Sequence, residues 1–326
     1  MPAYNAQDTI LDAIDSVFRN DFKDLELIVI NDGSTDGTVS KLASVTDARC
    51  RIIHQTHQGV VSAHNRAVRE ARAQWVARMD ADDLASPDRF SSQWDLAHRK
   101  GLELVGGMVQ IVGLDGRAAP GMQRYEKWLN QLTEHASIMD QRFIEMPMVN
   151  PSLFGHRRWF AHPCREGPFP EDYDWFLRIA NSPKLRLGKV CQTILKWRDH
   201  PNRATRQDRR YRSRAFDDCK QQHLLEGPLK HHKEVLFWGA GQAGKPWIRR
   251  LLGLGYHIPF IIDVHPGKIG QVIHGAEVKP PTFMRQDTRP GVPLLAAVGT
   301  KGAREKIRHH LSQTGGNQGR DVWFLA

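Results

Sequence analysis

Three carboxylates fall within four residues at Asp80-Ala-Asp-Asp83. Acids crowded in this way repel one another unless a cation neutralises them. Hard oxygen ligands suit Mg²⁺ or Mn²⁺, ions that also hold a diphosphate. Acidic loops without a metal are common, so the cluster by itself leaves both readings open. Asp32 follows an apolar run and precedes Gly33. A carboxylate there accepts from a nucleobase N–H or a sugar hydroxyl, and the glycine lets the chain pass close by. Glu171-Asp172 follows Phe169-Pro170, apolar surroundings that raise a carboxylate toward the range of a working general base. The same pair also reads as acids favourably placed at the N-terminus of a helix. Further on, Gly239-Ala-Gly-Gln-Ala-Gly244 has the spacing of a turn whose backbone N–H groups face a pyrophosphate, with Asp263 as the acceptor for a ribose hydroxyl.

Such groups act together only if strands and helices carry them to one rim. Residues 25–31 form a short apolar run, the mark of a buried parallel strand, and Asp36 predicts the cap of a helix through about residue 45. The pattern continues with a strand at 51–54, a helix at 60–73 and a strand at 75–79. Pro87 then opens a helix to about residue 100, with Ser86 as its cap. Strands alternating with helices predict a mostly parallel sheet with helices on its faces. In such sheets ligands sit beyond the carboxyl ends of the strands, where Asp32 and 80–83 fall. A second αβ unit begins at residue 234. It has strands at 234–238, 258–262 and 294–298, helices at 246–254 and 303–311, and an edge strand at 322–325. The expected division is 1–205, a basic and partly helical linker over 206–232, and 233–326.

Taken in order, Pro2-Ala-Tyr-Asn-Ala6, Val29-Ile-Asn-Asp-Gly-Ser-Thr-Asp-Gly37, Asn65, Met79-Asp-Ala-Asp-Asp83, Phe169-Pro-Glu-Asp-Tyr-Asp-Trp-Phe-Leu-Arg178 and Trp197-Arg-Asp-His200 resemble the family 2 inverting glycosyltransferases of the GT-A fold. The resemblance covers about residues 1–205. It implies that Asp80 and Asp82 bind the metal and the sugar nucleotide, and that Asp32 contacts the base. Pro2, Tyr4, Asn5 and Asn65 then belong to the nucleotide-sugar site, and Asp172, with Glu171 beside it, is the general base. His200 or Arg198 contacts diphosphate on this reading, or lies in an exposed loop. Family members begin with an apolar strand leading into the Pro-x-Tyr-Asn segment. Met1 stands directly before Pro2, so that first strand is expected to be missing, through a late recorded start or because the chain is a remnant. The second unit resembles Rossmann-like modules attached to bacterial sugar-modifying enzymes. Gly239, Gly241, Gly244 and Asp263 there mark a nucleotide site, with a dinucleotide as its ligand, or a purely structural module.

Composition narrows the classes. With 326 residues, 40% hydrophobic and 25% charged, the chain reads as a folded globular protein. No apolar run approaches the roughly 18–20 residues of a membrane span, and no leader is visible. Four scattered cysteines favour a reducing compartment. The net charge of +10 is concentrated: residues 184–214 hold eleven Lys/Arg against Asp199 and Asp208. Such a run attracts anionic lipid or phosphate, or is a solvated connecting segment. The expectation is a cytoplasmic enzyme, peripheral at the inner face of the membrane. It would use Mn²⁺ or Mg²⁺ to move sugar from a nucleoside-diphosphate donor to a glycan or lipid-linked acceptor. A non-catalytic sugar-nucleotide sensor or scaffold and a nicotinamide-dependent oxidoreductase are the alternatives. No nucleic-acid partner is expected, since no recognition module accompanies the charge.

Overall fold

A computed structural model describes residues 1–113, 115–201, 203–285, 289, 291–313 and 321–326. The chain forms two compact units, Met1–Met139 with Met146–Cys219, and Asp140–Glu145 with Lys220–Ala326. In chain order the strands of the first unit are β1 (Pro2–Ala3), β2 (Leu27–Asp32), β3 (Cys50–Gln55), β4 (Trp75–Ala77), β5 (Leu84–Ala85), β6 (Leu104–Val112), β7 (Phe154–His156) and β8 (Leu187–Arg198). Its helices include α1 (Ile10–Phe18), α2 (Thr38–Ala43), α3 (Gly59–Glu70) and α4 (Arg89–Lys100). Strands β1-β2-β3 form one parallel sheet, and β4-β7-β6-β8-β5 a second. In the second sheet only β6 and β8 run parallel, while β4–β7, β6–β7 and β5–β8 are antiparallel. The parallel expectation therefore holds for the sheet that carries Asp32 and is corrected for the one that carries the acid cluster.

A two-residue strand, β1, lies against β2. Pro2 and Ala3 pair in parallel with Ile30 and Asn31, and the Met1 nitrogen donates to the Ile28 carbonyl at 2.8 Å. Met1 and Ala3 are buried in the core with Ile10, Ile14 and Val29. Trp159 and Trp175 are buried core residues.

The second unit is a six-stranded sheet. Its strands are β9 (Leu236–Trp238), β10 (Phe260–Ile262), β11 (Val272–Ile273), β12 (Ala276–Lys279), β13 (Leu294–Ala296) and β14 (Val322–Phe324), in the order β11-β12-β10-β9-β13-β14. All neighbours are parallel except β11–β12. Its core joins Leu236, Ile262, Leu294, Ile307 and Phe324, with Ile144 packed against it. Asp140 pairs with Arg308, which explains why a short segment from mid-chain belongs to this unit. The change of unit falls between Cys219 and Lys220, inside the helix Ser213–Glu226, rather than across a separate linker. Among the described residues no helix is long and apolar enough to cross a membrane.

Candidate active site

The turn 80–83 joins β4 to β5. Arg89, fully buried in α4, donates to the Arg78 carbonyl at 2.7 Å and so fixes the approach to the turn. Burial pushes its guanidinium down to about 10, with Asp83 and Asp80 opposing. Pairing of β5 with β8 sets Leu84 opposite Lys196, so the chain that leaves β8 runs past the acids. Its Arg198 N–H donates to Asp83 Oδ1 at 2.9 Å, and His200 Nε2 lies 2.9 Å from Asp82 Oδ2. Arg203, buried and stacked over the Trp197 ring at 4.8 Å, reaches all three acids: 3.5 Å to Asp80, 4.0 Å to Asp82 and 3.5 Å to Asp83.

Burial raises the Asp83 carboxyl well above its ordinary range, with Arg203 pulling the other way. Asp80 is raised too, by burial and then by Asp82. Arg203 is depressed by burial, but the three carboxylates outweigh that and hold it above its ordinary value. The cluster fits a hard divalent cation on two grounds. Asp80, Asp82 and Asp83 each offer an oxygen, all within 4.8 Å of one another. Asp83 Oδ2 is buried with no hydrogen-bond partner, a costly state unless something positive shares it. The Arg203 contacts of 3.5–4.0 Å are looser than charge-assisted hydrogen bonds of about 2.7–2.9 Å, so the arginine compensates the cluster without saturating it.

Asp32 closes β2. Its buried carboxylate accepts from the Gln58 and Gly59 N–H groups at 2.9 and 2.8 Å and from Gln55 Nε2 at 2.6 Å, which caps the start of α3. His57 Nδ1 lies 3.0 Å from its Oδ2, and the His57 ring stacks on Tyr4 at 4.1 Å. Tyr4 is 47% exposed, so the pair presents an open aromatic face beside Asp32. Pro2 lies in β1. Asn5, at φ 49°, accepts from the Thr35 N–H at 2.8 Å and donates its own N–H to Ser34 Oγ at 3.0 Å. The 2–5 segment is thus laced to the turn after β2.

Glu171 and Asp172 open the helix Glu171–Ala180, and the loop before it is clamped. Asn65 uses both ends of its amide on the Cys164 backbone, at 2.9 and 3.0 Å, and so holds that loop. Arg178 donates to the Pro163 carbonyl at 2.6 Å. The fully buried Asp174 pairs with both Arg165 and Arg178. Both oxygens of the buried Glu171 accept from the Tyr211 hydroxyl at 2.7 Å, and Arg210 lies 3.8 Å away. Burial, then the charge of Glu171, raises the Tyr211 phenol well above its ordinary value. Asp172 is half-buried and accepts its neighbour's N–H, from Tyr173, at 2.8 Å.

Sequence reasoning missed Arg203, Arg210 and Tyr211, the first as one cation in a run and the others as linker. Their one local signal is the conjunction of Arg and Tyr directly after Trp197-Arg-Asp-His200. Much of the basic run is spent inside the unit: Lys189 is buried, Arg198 pairs with Asp12, Arg206 with Asp199, and Arg210 with Asp208.

The profile of the family described as "Glycosyl transferase family 2" matches residues 1–162. The chain is 34% identical over 184 residues to the succinoglycan biosynthesis protein ExoO of Rhizobium meliloti, covering 55% of this chain and 51% of ExoO. It is 28% identical over 196 residues to an Escherichia coli UDP-Glc:alpha-D-GlcNAc-diphosphoundecaprenol beta-1,3-glucosyltransferase, WfgD, covering 59% and 73%. This chain thus spans about half the length of ExoO. Among solved structures, Staphylococcus aureus TarS 1-349 in complex with UDP-GlcNAc superposes with a TM-score of 0.55 at 15% identity, over 69% of this chain and 65% of that one, a likeness in fold. The carboxylate turn and clamped acid pair thus lie in a GT-A fold, and residues 1–162 of the chain belong to glycosyl transferase family 2.

Proposed function

We propose that the first unit is a metal-dependent inverting glycosyltransferase that moves a sugar from a nucleoside diphosphate to a hydroxyl of a glycan or lipid-linked acceptor. One observation carries the reading. The short stretch from Arg198 to Tyr211 touches the acid cluster through His200 and Arg203 and the acid pair through Arg210 and Tyr211. It therefore ties a site suited to a leaving diphosphate to a site suited to a base. Asp80 and Asp82, with Asp83 behind them, would hold Mg²⁺ or Mn²⁺, which when bound neutralises the diphosphate. The stacked Tyr4–His57 face and the 2–5 segment line the nucleotide side. In a single displacement the acceptor oxygen bonds to the anomeric carbon, its proton passes to the Asp172 carboxylate, and the bond to the diphosphate breaks with its electron pair leaving on the phosphate. Asp172 is the better base because Glu171 is buried and held by the Tyr211 hydroxyl. A cytoplasmic protein working against the inner membrane face agrees with the acceptor named for WfgD. The cations left for lipid are those not spent internally, such as Lys184 and Lys196.

The experiment is transfer or hydrolysis from a panel of sugar nucleotides with Mn²⁺ and with chelator, for the native protein and Asp82→Ala. Turnover that needs metal and is lost in Asp82→Ala supports the reading. Donor binding without turnover favours a sensor. Full turnover in chelator overturns the assigned cation site.

A further inference from the structure

We propose that the second unit binds the diphosphate of a mononucleotide in a cationic cavity of its own, anchored at Gly241 and Lys268, and not a dinucleotide held through Asp263. The cavity measures about 820 Å³ and lies beyond the carboxyl ends of β9, β10 and β13, lined by residues of 239–243, 263–268 and 297–303. The strand order places β9 between β10 and β13. The chain leaves β9 toward one side of the sheet and returns on the other, and loops that part in this way leave a crevice. A cavity of this size falls within the range of small-ligand pockets, on the order of 300–1,000 Å³.

Three observations fix the sign and class of the ligand. First, Lys268, Lys301 and Lys306 line the cavity against a single acid, Asp263, and among the described residues neither Lys301 nor Lys306 pairs with a carboxylate. Second, the glycines differ in why they are glycine. A Cβ on Gly239 would meet the Ala297 carbonyl oxygen at 2.5 Å, and one on Gly244 would meet the Gly239 oxygen at 1.8 Å, so the packing of the turn demands both. A Cβ on Gly241 would meet only Lys268 Nζ, at 3.7 Å. The fold leaves that side open to the cavity, with an ammonium across from it, a geometry that admits a phosphate against the backbone. Third, Asp263 is already engaged. It accepts from the Ala240 and His265 N–H groups at 2.8 Å each and from Lys268 Nζ at 3.0 Å. It therefore orients the lysine and the turn, and three of its roughly four acceptor positions are already used within the protein. The helices Gly244–Gly253 and Ala303–Gln313 begin at the rim, each adding the positive end of its dipole. Val264, Val298 and Ile307 supply an apolar wall for a base.

The proposal does not rest on the reading of the first unit, and its test separates the two. Calorimetric titration of the full chain in chelator uses UDP, ADP, GDP, NAD and inorganic pyrophosphate as probes. A nucleoside diphosphate should bind at one site per chain. Gly241→Val and Lys268→Glu should each weaken it by about tenfold or more, while Asp82→Ala leaves it unchanged. Melting curves confirm that the variants fold; should Gly241→Val unfold, the double variant Lys301→Glu, Lys306→Glu at the cavity rim decides in its place. Absence of nucleotide binding in chelator overturns the proposal. So does binding that Asp82→Ala removes but the lysine variants do not, or NAD bound in preference to the mononucleotides and lost in Asp263→Asn.

Discussion

The two units gather opposite charges in the loops that follow their strands. The first gathers Asp80, Asp82 and Asp83 and folds one guanidinium, Arg203, among them. The second gathers Lys268, Lys301 and Lys306 and folds one carboxylate, Asp263, among them. In an open αβ sheet the carboxyl ends of the strands form the binding rim whatever residues stand there. A handful of side chains then decides whether the rim needs a cation or an anion. In both crevices the single counter-charge holds its neighbours in place, and in both the aspartate that sequence assigns to a ligand (Asp32, Asp263) is engaged with backbone N–H groups.

The comparison breaks most sharply at the chemistry, where the first rim is assigned a base. Asp172→Asn should lower turnover by roughly 10²–10⁴ while leaving donor affinity nearly unchanged. Steady-state kinetics with donor titration checks this, and full activity in the variant would move the base to Glu171 or elsewhere. Next comes the counter-charge. Arg203→Ala leaves buried acids without their arginine and should cost about 3–5 kcal/mol of stability in metal-free protein. Mn²⁺ should return more of that stability to the variant than it adds to the native chain. Thermal melts with and without the ion measure it; equal responses would show that Arg203 does not stand in for a cation.

The smallest effect concerns a buried cation with no carboxylate to balance it. Lys189 donates to the Leu129 carbonyl at 2.7 Å, and burial pushes its ammonium down from 10.5 to about 7. The unfolded chain therefore holds a proton that the folded chain lacks between those values, and stability should rise with pH across that window. Each pH unit of the window contributes at most about 1.4 kcal/mol. Lys189→Met, which keeps the length and removes the charge, should melt higher near neutral pH and lose that slope. Denaturant melts at pH 7 and pH 9 compare the two, and an unchanged slope would assign it to other groups.

What could be read from the sequence was local. The acid turn 80–83, the glycine turn 239–244, the acid pair 171–172 and most strands and helices of both units are written in windows of a few residues. There turn chemistry and hydrophobic period act directly on the backbone. The direction of β4 was not readable, because an apolar run makes a strand without saying which neighbour it will meet.

Nor were the partners of the site residues readable. His200 meets Asp82 across 118 residues, Arg203 meets Asp83 across 120, Asn65 meets Cys164 across 99 and Tyr211 meets Glu171 across 40. Those meetings depend on the pairing of β5 with β8 and on the packing of the chain that follows. No residue type or spacing encodes them, since the free energy that selects one partner over another arises only when both are buried together. Sequence alone thus determined that acids and glycines stand at strand ends. Tertiary structure decided that Arg203 sits among the first and Lys268 over the second, because burial makes an unbalanced charge costly enough to recruit a distant one.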